Sequence, residues 1–367
     1  GAPGLGLTRP GIGRWLGRLE REAVSRERDD LQSIAVLGTA ASDRFTVQGL
    51  PAPFSSFVLD GGLYQPLLHP HLLETPRSPR SLIAIDAAEL STNELDTEWG
   101  DAAAGLLATQ SQRGTRSFSA RASASGSEDD FAVARFAPPV RAGFDLYRAG
   151  AEVSGPLIAD TAFYAVGAEW RRVRWIDPEI WRPDQLTGAR LAAIARDSAA
   201  TDIRLYSLPQ ARENDVVSSY ARFDWLVAEG HDVALHADLT AYPSAEWDRA
   251  QSTESLALAT PNGYDVAAGI ALRSILTERY GNEVRLAFDR AEHEYLDPAR
   301  VPGRDLSGAH VPHTSVLTDG VAFGVDPRTG ATLARTGFRA DQALSILFGT
   351  HRVKLGVSVN WNAWDWS

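Results

Sequence analysis

Apolar and polar residues alternate along most of the chain after residue 113. In residues 231–242 (HDVALHADLTAY), every second residue, including Val233, Leu235 and Leu239, is apolar, and the residues between them are mostly polar. A strand has this pattern when one face meets an apolar phase and the other meets water. The alternation predicts nine strands, near residues 113–125, 143–155, 162–175, 214–228, 232–243, 264–279, 283–296, 336–348 and 352–364.

The links between these strands alternate in length. Tight turns are predicted at residues 156–160, 229–230, 281–282 and 349–350, whereas the links 126–142, 176–213, 244–263 and 297–335 are long and polar. A soluble sheet with one face on a core explains each strand taken singly. Strict alternation of short turns with long loops is instead typical of an outer-membrane barrel, whose strands need only about 9–11 residues to cross the bilayer.

The predicted fold class is therefore mainly β, a transmembrane antiparallel β-barrel. In such a barrel the apolar faces contact lipid and the polar faces line the lumen. The side chains predicted to face the lumen are Arg222, Asp224, Asp232, His236, Asp238, Arg285 and Asp289. Aromatic residues near strand ends, among them Trp170, Tyr220, Tyr242 and Trp361, are predicted to form the girdles at the two membrane surfaces.

The first third of the chain has a different pattern. Residues 14–35 combine helical apolar spacing with dense charge, which predicts an amphipathic helix. Short strands are predicted at 45–49, 55–62 and 81–87, with Gly and Pro between them. The predicted organisation is a flexible N-terminus (1–13), a small α/β domain (14–112) and the barrel strands (113–367), which form an incomplete barrel.

Composition narrows the possible functions. The net charge of −11 disfavours nucleic acid as a partner, and no run approaches the roughly 18 apolar residues of a membrane helix. There are 0 cysteines, and no G-x-S-x-G elbow or other catalytic constellation is present. The two histidine pairs, His69 with His71 and His310 with His313, lie in predicted loops. We therefore predict no catalytic residues, no metal site and no cofactor.

Several segments resemble TonB-dependent outer-membrane receptors, in the order in which that family has them. FTVQGLPAPFSSFVLDGG (45–62) is similar to the start of the family's plug domain, and EWGDAAAGLLATQSQRGT (98–115) to a later plug motif. VSGPLIADTAFYAVGAEWRR (153–172) resembles an early barrel hairpin, and HRVKLGVSVNW (351–361) a later barrel strand. The positions that match the plug motifs are Gly49, Asp60, Gly61, Trp99, Gly100, Gly105, Thr109 and Gly114.

The resemblance implies an outer-membrane receptor that takes up a scarce substrate with energy supplied through TonB, with residues 14–112 as the plug. Implied partners are outer-membrane lipid and lipopolysaccharide, the TonB complex and an unknown substrate. An alternative is a receptor-like barrel that serves as a structural subunit of an outer-membrane or cell-surface assembly. Barrels of this family have about 22 strands, so the nine predicted here belong either to a longer chain or to a barrel that a second protein completes.

Overall fold

The structure, a computed structural model, describes residues 13–16, 55–65, 79–91, 105–127, 144–176, 211–245, 260–296, 316–318, 321–323 and 332–367. Strands account for most of these residues, as the alternation predicts. Among the described residues, no helix is long and apolar enough to cross a membrane.

Five short strands form one sheet, here called the small sheet, in the order β1-β4-β5-β2-β3. They are β1 (Gly13–Leu16), β2 (Ser55–Leu59), β3 (Gly62–Tyr64), β4 (Ile85–Ser91) and β5 (Gly105–Ser111). A 3-10 turn, Leu82–Ala84, leads into β4. Buried apolar side chains from β2 and β5, such as Val58 and Leu106, form a compact core.

The strand predicted at 55–62 is divided by a turn at Asp60 and Gly61, and the strand predicted at 81–87 begins only at Ile85. The helix predicted in this region is wrong where it can be compared. Residues 14–16 lie in β1 rather than in the helix predicted from residue 14, because their backbone pairs with the edge of β4, Arg14 opposite Leu90 and Leu16 opposite Ala88. Sheet pairing outweighs a helical spacing that rests on few apolar residues. The rest of that predicted helix, residues 17–35, and the strand predicted at 45–49 lie outside the described residues.

Nine long strands form an antiparallel meander, here called the large sheet. They are β6 (Ser119–Ser127), β7 (Phe144–Ile158), β8 (Ala162–Ile176), β9 (Ala211–Ala228), β10 (His231–Ala245), β11 (Thr260–Thr277), β12 (Tyr280–Leu296), β15 (Thr332–Phe348) and β16 (His351–Trp366). A small hairpin, β13 (Val316–Thr318) and β14 (Val321–Phe323), lies between β12 and β15 in sequence. The nine predicted strands are confirmed: eight agree within four residues at each end, and the first begins at Ser119 rather than at residue 113.

Short turns join the strands in pairs at residues 159–161, 229–230, 278–279 and 349–350. The turn predicted at Gly281 and Asn282 is wrong, because both residues lie inside β12, where they pair with Ile275 and Ser274. This register sets Leu286 opposite Ile270. A two-residue turn at 281–282 without the bulge that follows Ile275 would shift the pairing by an odd number of residues and bring charged side chains of β12 to the face that carries the apolar side chains of β11.

The two faces of the large sheet differ in burial and chemistry. One face, here called the inner face, contacts the small sheet through β3 and the 3-10 turn. The other, the outer face, carries apolar side chains that remain accessible, such as Leu235 at 40% and Leu286 at 51% exposure. On the outer face the rings of Phe288, Phe338 and Trp361 form a continuous row.

Two aromatic residues predicted for the membrane surfaces lie elsewhere. Tyr220 is buried in a cluster with Ala84 of the 3-10 turn and Ala165 of β8. Tyr242 is buried with its ring edge against His293. Both side chains lie on the inner face, because each is separated by an even number of residues from a buried polar residue of the same strand, Arg222 or Asp238.

Candidate functional site

The hairpin between β2 and β3 presents Asp60 to the inner face of the large sheet. Asp60 and Gly61 both have positive φ, 48° and 87°, which is the geometry of a two-residue type I′ turn. Gly61 has a second constraint, because a Cβ atom there would lie 2.8 Å from a guanidinium nitrogen of Arg285. The Asp-Gly sequence therefore allows the tight turn and also lets its backbone touch β12.

Asp60 is held by groups from both sheets. Its Oδ1 accepts hydrogen bonds from the Ser111 amide at 2.9 Å and from Nη1 of Arg222 at 2.9 Å. Its Oδ2 accepts from Nη2 of Arg80 at 2.5 Å. Burial alone would raise the pKa of Asp60, but the nearby positive charges of Arg80 and Arg222 hold it well below its usual range. The carboxyl group is therefore ionised and links the small sheet to β9.

Arg80 is the second link and is fully buried. Its Nε and Nη2 donate to the two carboxylate oxygens of Asp238 in β10, at 3.1 and 2.7 Å. Its Nη1 also donates to the carbonyl oxygen of Thr109, at 3.3 Å. Burial alone would lower the pKa of Arg80, but Asp238 and Asp60 raise it above its ordinary value. The guanidinium stays charged and joins β5, β10 and the turn between β2 and β3.

Arg222 completes this group, which we call the ion network: Asp60, Arg80, Ser111, Arg222, Asp224 and Asp238. Arg222 donates to the Ser111 hydroxyl at 2.9 Å and to both carboxylate oxygens of Asp224. The charges in the network nearly balance, two arginines against three aspartates. Removing one partner of such a buried pair costs about 3–5 kcal/mol, because the other charge remains buried without compensation.

His236 lies beside the ion network, with its Nδ1 3.8 Å from Asp60. The side chains of Asp60, His236 and Asp238 present potential metal-ligand atoms within 4.8 Å of one another. The guanidinium of Arg80 already donates to both of these carboxylates. Because it supplies the positive charge that a metal ion would bring, the arrangement is that of an ion pair rather than of a metal site.

A second contact joins the sheets nearer to the ends of the strands that lead into long connections. Tyr64, the last residue of β3, is buried with the Arg335 guanidinium 5.6 Å from its ring centroid. Arg335 donates to Asn362 at 2.8 Å and also to Asp289. Beside it, His293 and Asp265 are 3.2 Å apart and almost completely buried. This contact also relies on polar and aromatic groups.

The residues singled out from the sequence separate into three groups. Asp60, Arg222, Asp224, His236 and Asp238 come together in or beside the ion network. Arg285 lies against Gly61, and Asp289 pairs with Arg335. Asp232 joins neither contact: it lies near the short-turn end of β10, 3.9 Å from Arg273.

The plug-motif positions have separate places. Gly105 begins β5 opposite Ser55, and Thr109 is buried beside Arg80. Gly114 lies so close to β8 that a Cβ atom there would be 2.6 Å from the Tyr164 amide nitrogen. Gly49, Trp99 and Gly100 lie outside the described residues, as do the histidine pairs of the loops.

Sequence reasoning missed Arg80, Tyr64, Asp265, His293 and Arg335. Arg80 ends a run of Pro, Arg and Ser (residues 76–80) that has the composition of an ordinary loop. Asp265, His293 and Arg335 do follow the strand alternation, so the pattern could have placed them on the polar faces of their strands. Nothing in the sequence pairs Arg80 with Asp238, 158 residues away.

Known proteins resemble this chain in structure but not in sequence. No protein-family model and no curated protein matches it. The outer membrane transporter YddB from Escherichia coli matches with a TM-score of 0.65 at 10% identity, over 95% of this chain and 48% of that one. The ferric enterobactin receptor PfeA from Pseudomonas aeruginosa matches with a TM-score of 0.65 at 12% identity, over 97% and 50%. The siderophore receptor PirA from Acinetobacter baumannii gives 0.62 at 14% identity, over 96% and 48%.

This chain therefore spans about half of the length of the structures that it matches. At these identities the likeness concerns the fold. It confirms, at the level of the fold, the resemblance to TonB-dependent outer-membrane receptors. The chain has the transmembrane antiparallel β-barrel fold of the bacterial outer-membrane receptors.

Proposed function

We propose that this chain is part of an outer-membrane receptor that takes up a scarce substrate with energy supplied through TonB. In this proposal residues 14–112 are the plug and residues 113–367 supply barrel strands. The short turns face the periplasm and the long connections face the cell exterior. The inner face lines the lumen, and the outer face, with Val233, Leu235 and Leu239, contacts lipid.

The ion network is the observation that supports this proposal best. The small sheet contacts the large one through Asp60, Arg80 and Tyr64, whose partners on the large sheet include Arg222, Asp238 and Arg335. Water can solvate such groups when they separate, whereas separated apolar surfaces would remain costly to expose. A contact of this kind suits an element that must leave and return while a substrate passes.

The outer face supports the placement in a membrane. Its exposed side chains are apolar at the level of Leu235, Ile270 and Leu286, which are opposite one another in β10 to β12. They become polar at Arg290, nearer to the long connections. Near that level the Phe288, Phe338 and Trp361 rings form a row. An apolar band bounded by aromatic residues is the surface that a bilayer requires of a barrel.

TonB-dependent movement of the small sheet can be tested with thiol chemistry, because the chain has 0 cysteines. Ser111 is buried at the ion network, where its hydroxyl accepts a hydrogen bond from Arg222. A Ser111→Cys variant in cells of the source bacterium should react with a membrane-impermeant maleimide faster when TonB is present. A Ser274→Cys variant, buried near the short-turn end of β11 and away from the ion network, is the control and should react equally with and without TonB.

A locked variant sharpens this test. A Cβ atom at Gly62 would lie 2.8 Å from the Cβ of Ala287, so a disulfide between Gly62→Cys and Ala287→Cys forms after the two backbones separate by about 1 Å. Oxidation of this pair should abolish the TonB-dependent reaction of Cys at position 111, and reduction should restore it. If Ser111→Cys reacts at the same rate with and without TonB, the transport proposal fails and the structural-subunit alternative is favoured.

A further inference from the structure

The 3-10 turn of the small sheet packs on β7, β8 and β9 through apolar side chains. Ala84 is 0% exposed and forms a cluster with Ala165 of β8 and Tyr220 of β9. Ile83 packs against this cluster, and its Cδ1 lies 3.2 Å from the position that a Cβ atom would take at Gly150 of β7. Separation of these groups would expose apolar surface to water, which costs free energy.

The segment that follows β5 strengthens this contact. The backbone amide of Gln112 donates to the carbonyl oxygen of Ala84 at 2.8 Å, and its side-chain amide donates to that of Ile83 at 3.0 Å. Gly114 lies directly on β8, where a Cβ atom would be 2.8 Å from the carbonyl oxygen of Tyr164. The 3-10 turn and the end of β5 are therefore one unit docked on β8. We call this unit the β8 anchor: Ile83, Ala84, Gln112 and Gly114.

The hairpin of β2 and β3 meets the large sheet through groups that water can solvate. Asp60 pairs with Arg222 of β9, and the ring of Tyr64 lies against the guanidinium of Arg335 on β15. Between them, Gly61 lies against the guanidinium of Arg285 on β12. When such groups separate, hydrogen bonds to water replace those within the protein. The hairpin can therefore leave the wall of the large sheet more easily than the β8 anchor can.

The size of the inner-face side chains also differs between the two regions. On β8, beside the anchor, Glu169 and Arg171 are long and buried. On β11 and β12, small residues stand between the charged residues of the inner face: Ala267, Gly269, Ala271, Ala287 and Ala291. A movement away from short side chains leaves a wider opening than the same movement away from long ones. The wall beside the hairpin is thus the part of the large sheet that offers the most room.

We propose that the β8 anchor is a hinge. The small sheet turns about it and does not leave the large sheet as a whole, so that β2 and β3 move away from β12 and β15 and a passage opens along β11 and β12. This inference rests on the proposed function, because it describes how the TonB-dependent movement proceeds. In the sheet order β12 is four strands from β8, or about 19 Å at the usual strand spacing. A small rotation at the anchor therefore becomes a large displacement at the hairpin.

Two buried alanines of the large sheet test the hinge as a matched pair. Ala165 is 1% exposed and lies under the β8 anchor. Ala291 is 0% exposed and lies on the inner face of β12 opposite Arg335, against which Tyr64 packs. In cells of the source bacterium, Ala291→Cys should react with a membrane-impermeant maleimide several-fold faster when TonB is present. Ala165→Cys should react at the same slow rate with and without TonB.

The possible outcomes separate the hinge from the proposed function. Acceleration by TonB at both alanine positions would overturn the hinge, because the whole small sheet would then leave, and would still support TonB-dependent movement. Acceleration at Ala165→Cys alone would place the fixed contact on the opposite side and would also overturn the hinge. Acceleration at neither position would contradict the proposed function and the hinge with it.

Two reversible locks check the hinge within one protein that also carries Ala291→Cys. The sulfur of Ile83→Cys lies one bond short of the Cδ1 that meets Gly150, so a disulfide with Gly150→Cys fits across the anchor. Oxidation of this pair should leave the TonB-dependent reaction at position 291 intact, whereas oxidation of the Gly62→Cys/Ala287→Cys pair should abolish it. Reduction should restore the reaction in both proteins, which shows that each variant is folded. Loss of the reaction under both locks would overturn the hinge.

Discussion

Arg80 and Asp238 are 158 residues apart in sequence, yet two hydrogen bonds of 3.1 and 2.7 Å join their side chains in the interior. The pair connects the segment that precedes the 3-10 turn to the inner face of β10. Arg80 simultaneously reaches Asp60 at 2.5 Å. One guanidinium thus sets the position of the small sheet against the large one.

Replacement of Arg80 should loosen that contact more than it disturbs the large sheet. Arg80→Ala leaves Asp60 and Asp238 buried without this partner, which costs about 3–5 kcal/mol. Hydrogen exchange of the purified protein should show faster exchange in residues 55–65 and 79–91, with little change in β11 and β12. The control is Arg290→Ala, which removes an exposed partner of Glu292 and should change stability by less than about 1 kcal/mol. Equal effects of the two variants would contradict the role given to Arg80.

The contact between the small sheet and the large sheet should weaken in acid, because Asp60 must then take up a proton. Its pKa is lower in the folded protein than the ordinary value of 3.8, so the stability that it contributes is fully present above about pH 4. That contribution is lost as the pH falls towards the lowered pKa. The difference in thermal stability between the natural chain and Asp60→Asn should therefore be constant at neutral and mildly acidic pH and should shrink below about pH 4. A difference that already disappears between about pH 7 and 5 would assign the effect to another group.

Adjacent residues of β16 should differ sharply in their tolerance of charge. Val359 lies on the outer face and is largely exposed, and Ser358 lies on the inner face opposite Asp341. In a membrane, Val359→Arg should destabilise the protein by about 2–4 kcal/mol at mid-depth, and Ser358→Arg should cost little. The measurement is folding into lipid vesicles followed by denaturant titration. Equal tolerance at the two positions would argue against a lipid-facing surface.

The proposed orientation predicts which residues are reachable from outside intact cells. Cysteines at Asp184 and Asp305, in two of the long connections, should react with an impermeant thiol reagent. A cysteine at Glu278, in the short turn between β11 and β12, should react only after the outer membrane is broken. The opposite result would invert the barrel, and uniform labelling would place the region outside a membrane.

The strands and their faces could be predicted from the sequence because alternation is a local signal that is repeated many times. Turn positions could not always be predicted. Gly281 and Asn282 are common turn residues, but the chain turns at 278–279, where a bulge between Ile275 and Thr277 adjusts the register. The register that keeps Leu286 opposite Ile270 decides the outcome, and it depends on both strands at once.

The contact between the sheets was the least predictable part. Alternation places His236 on the polar face of β10, where an arginine would be expected to be harmless. The structure instead sets the His236 ring against Gly269 and close to Asp60 and the two network arginines. Packing against a distant segment, rather than local polarity, determines what that position tolerates. No pattern within a single strand carries this information.

The odd number of strands in the large sheet fixes the kind of complement that it can accept. In a meander of nine antiparallel strands, the first and the last strand run in the same direction, so the two edge strands, β6 and β16, have the same chain direction. If two copies were inserted in a membrane with the same orientation, β16 of one copy and β6 of the other would run in the same direction. They could therefore pair only as parallel strands. To close an antiparallel barrel, the strands that pair with β6 and with β16 must both run in the opposite direction, which requires an odd number of additional strands. Self-association of the nine described strands in one orientation therefore cannot by itself close an antiparallel barrel.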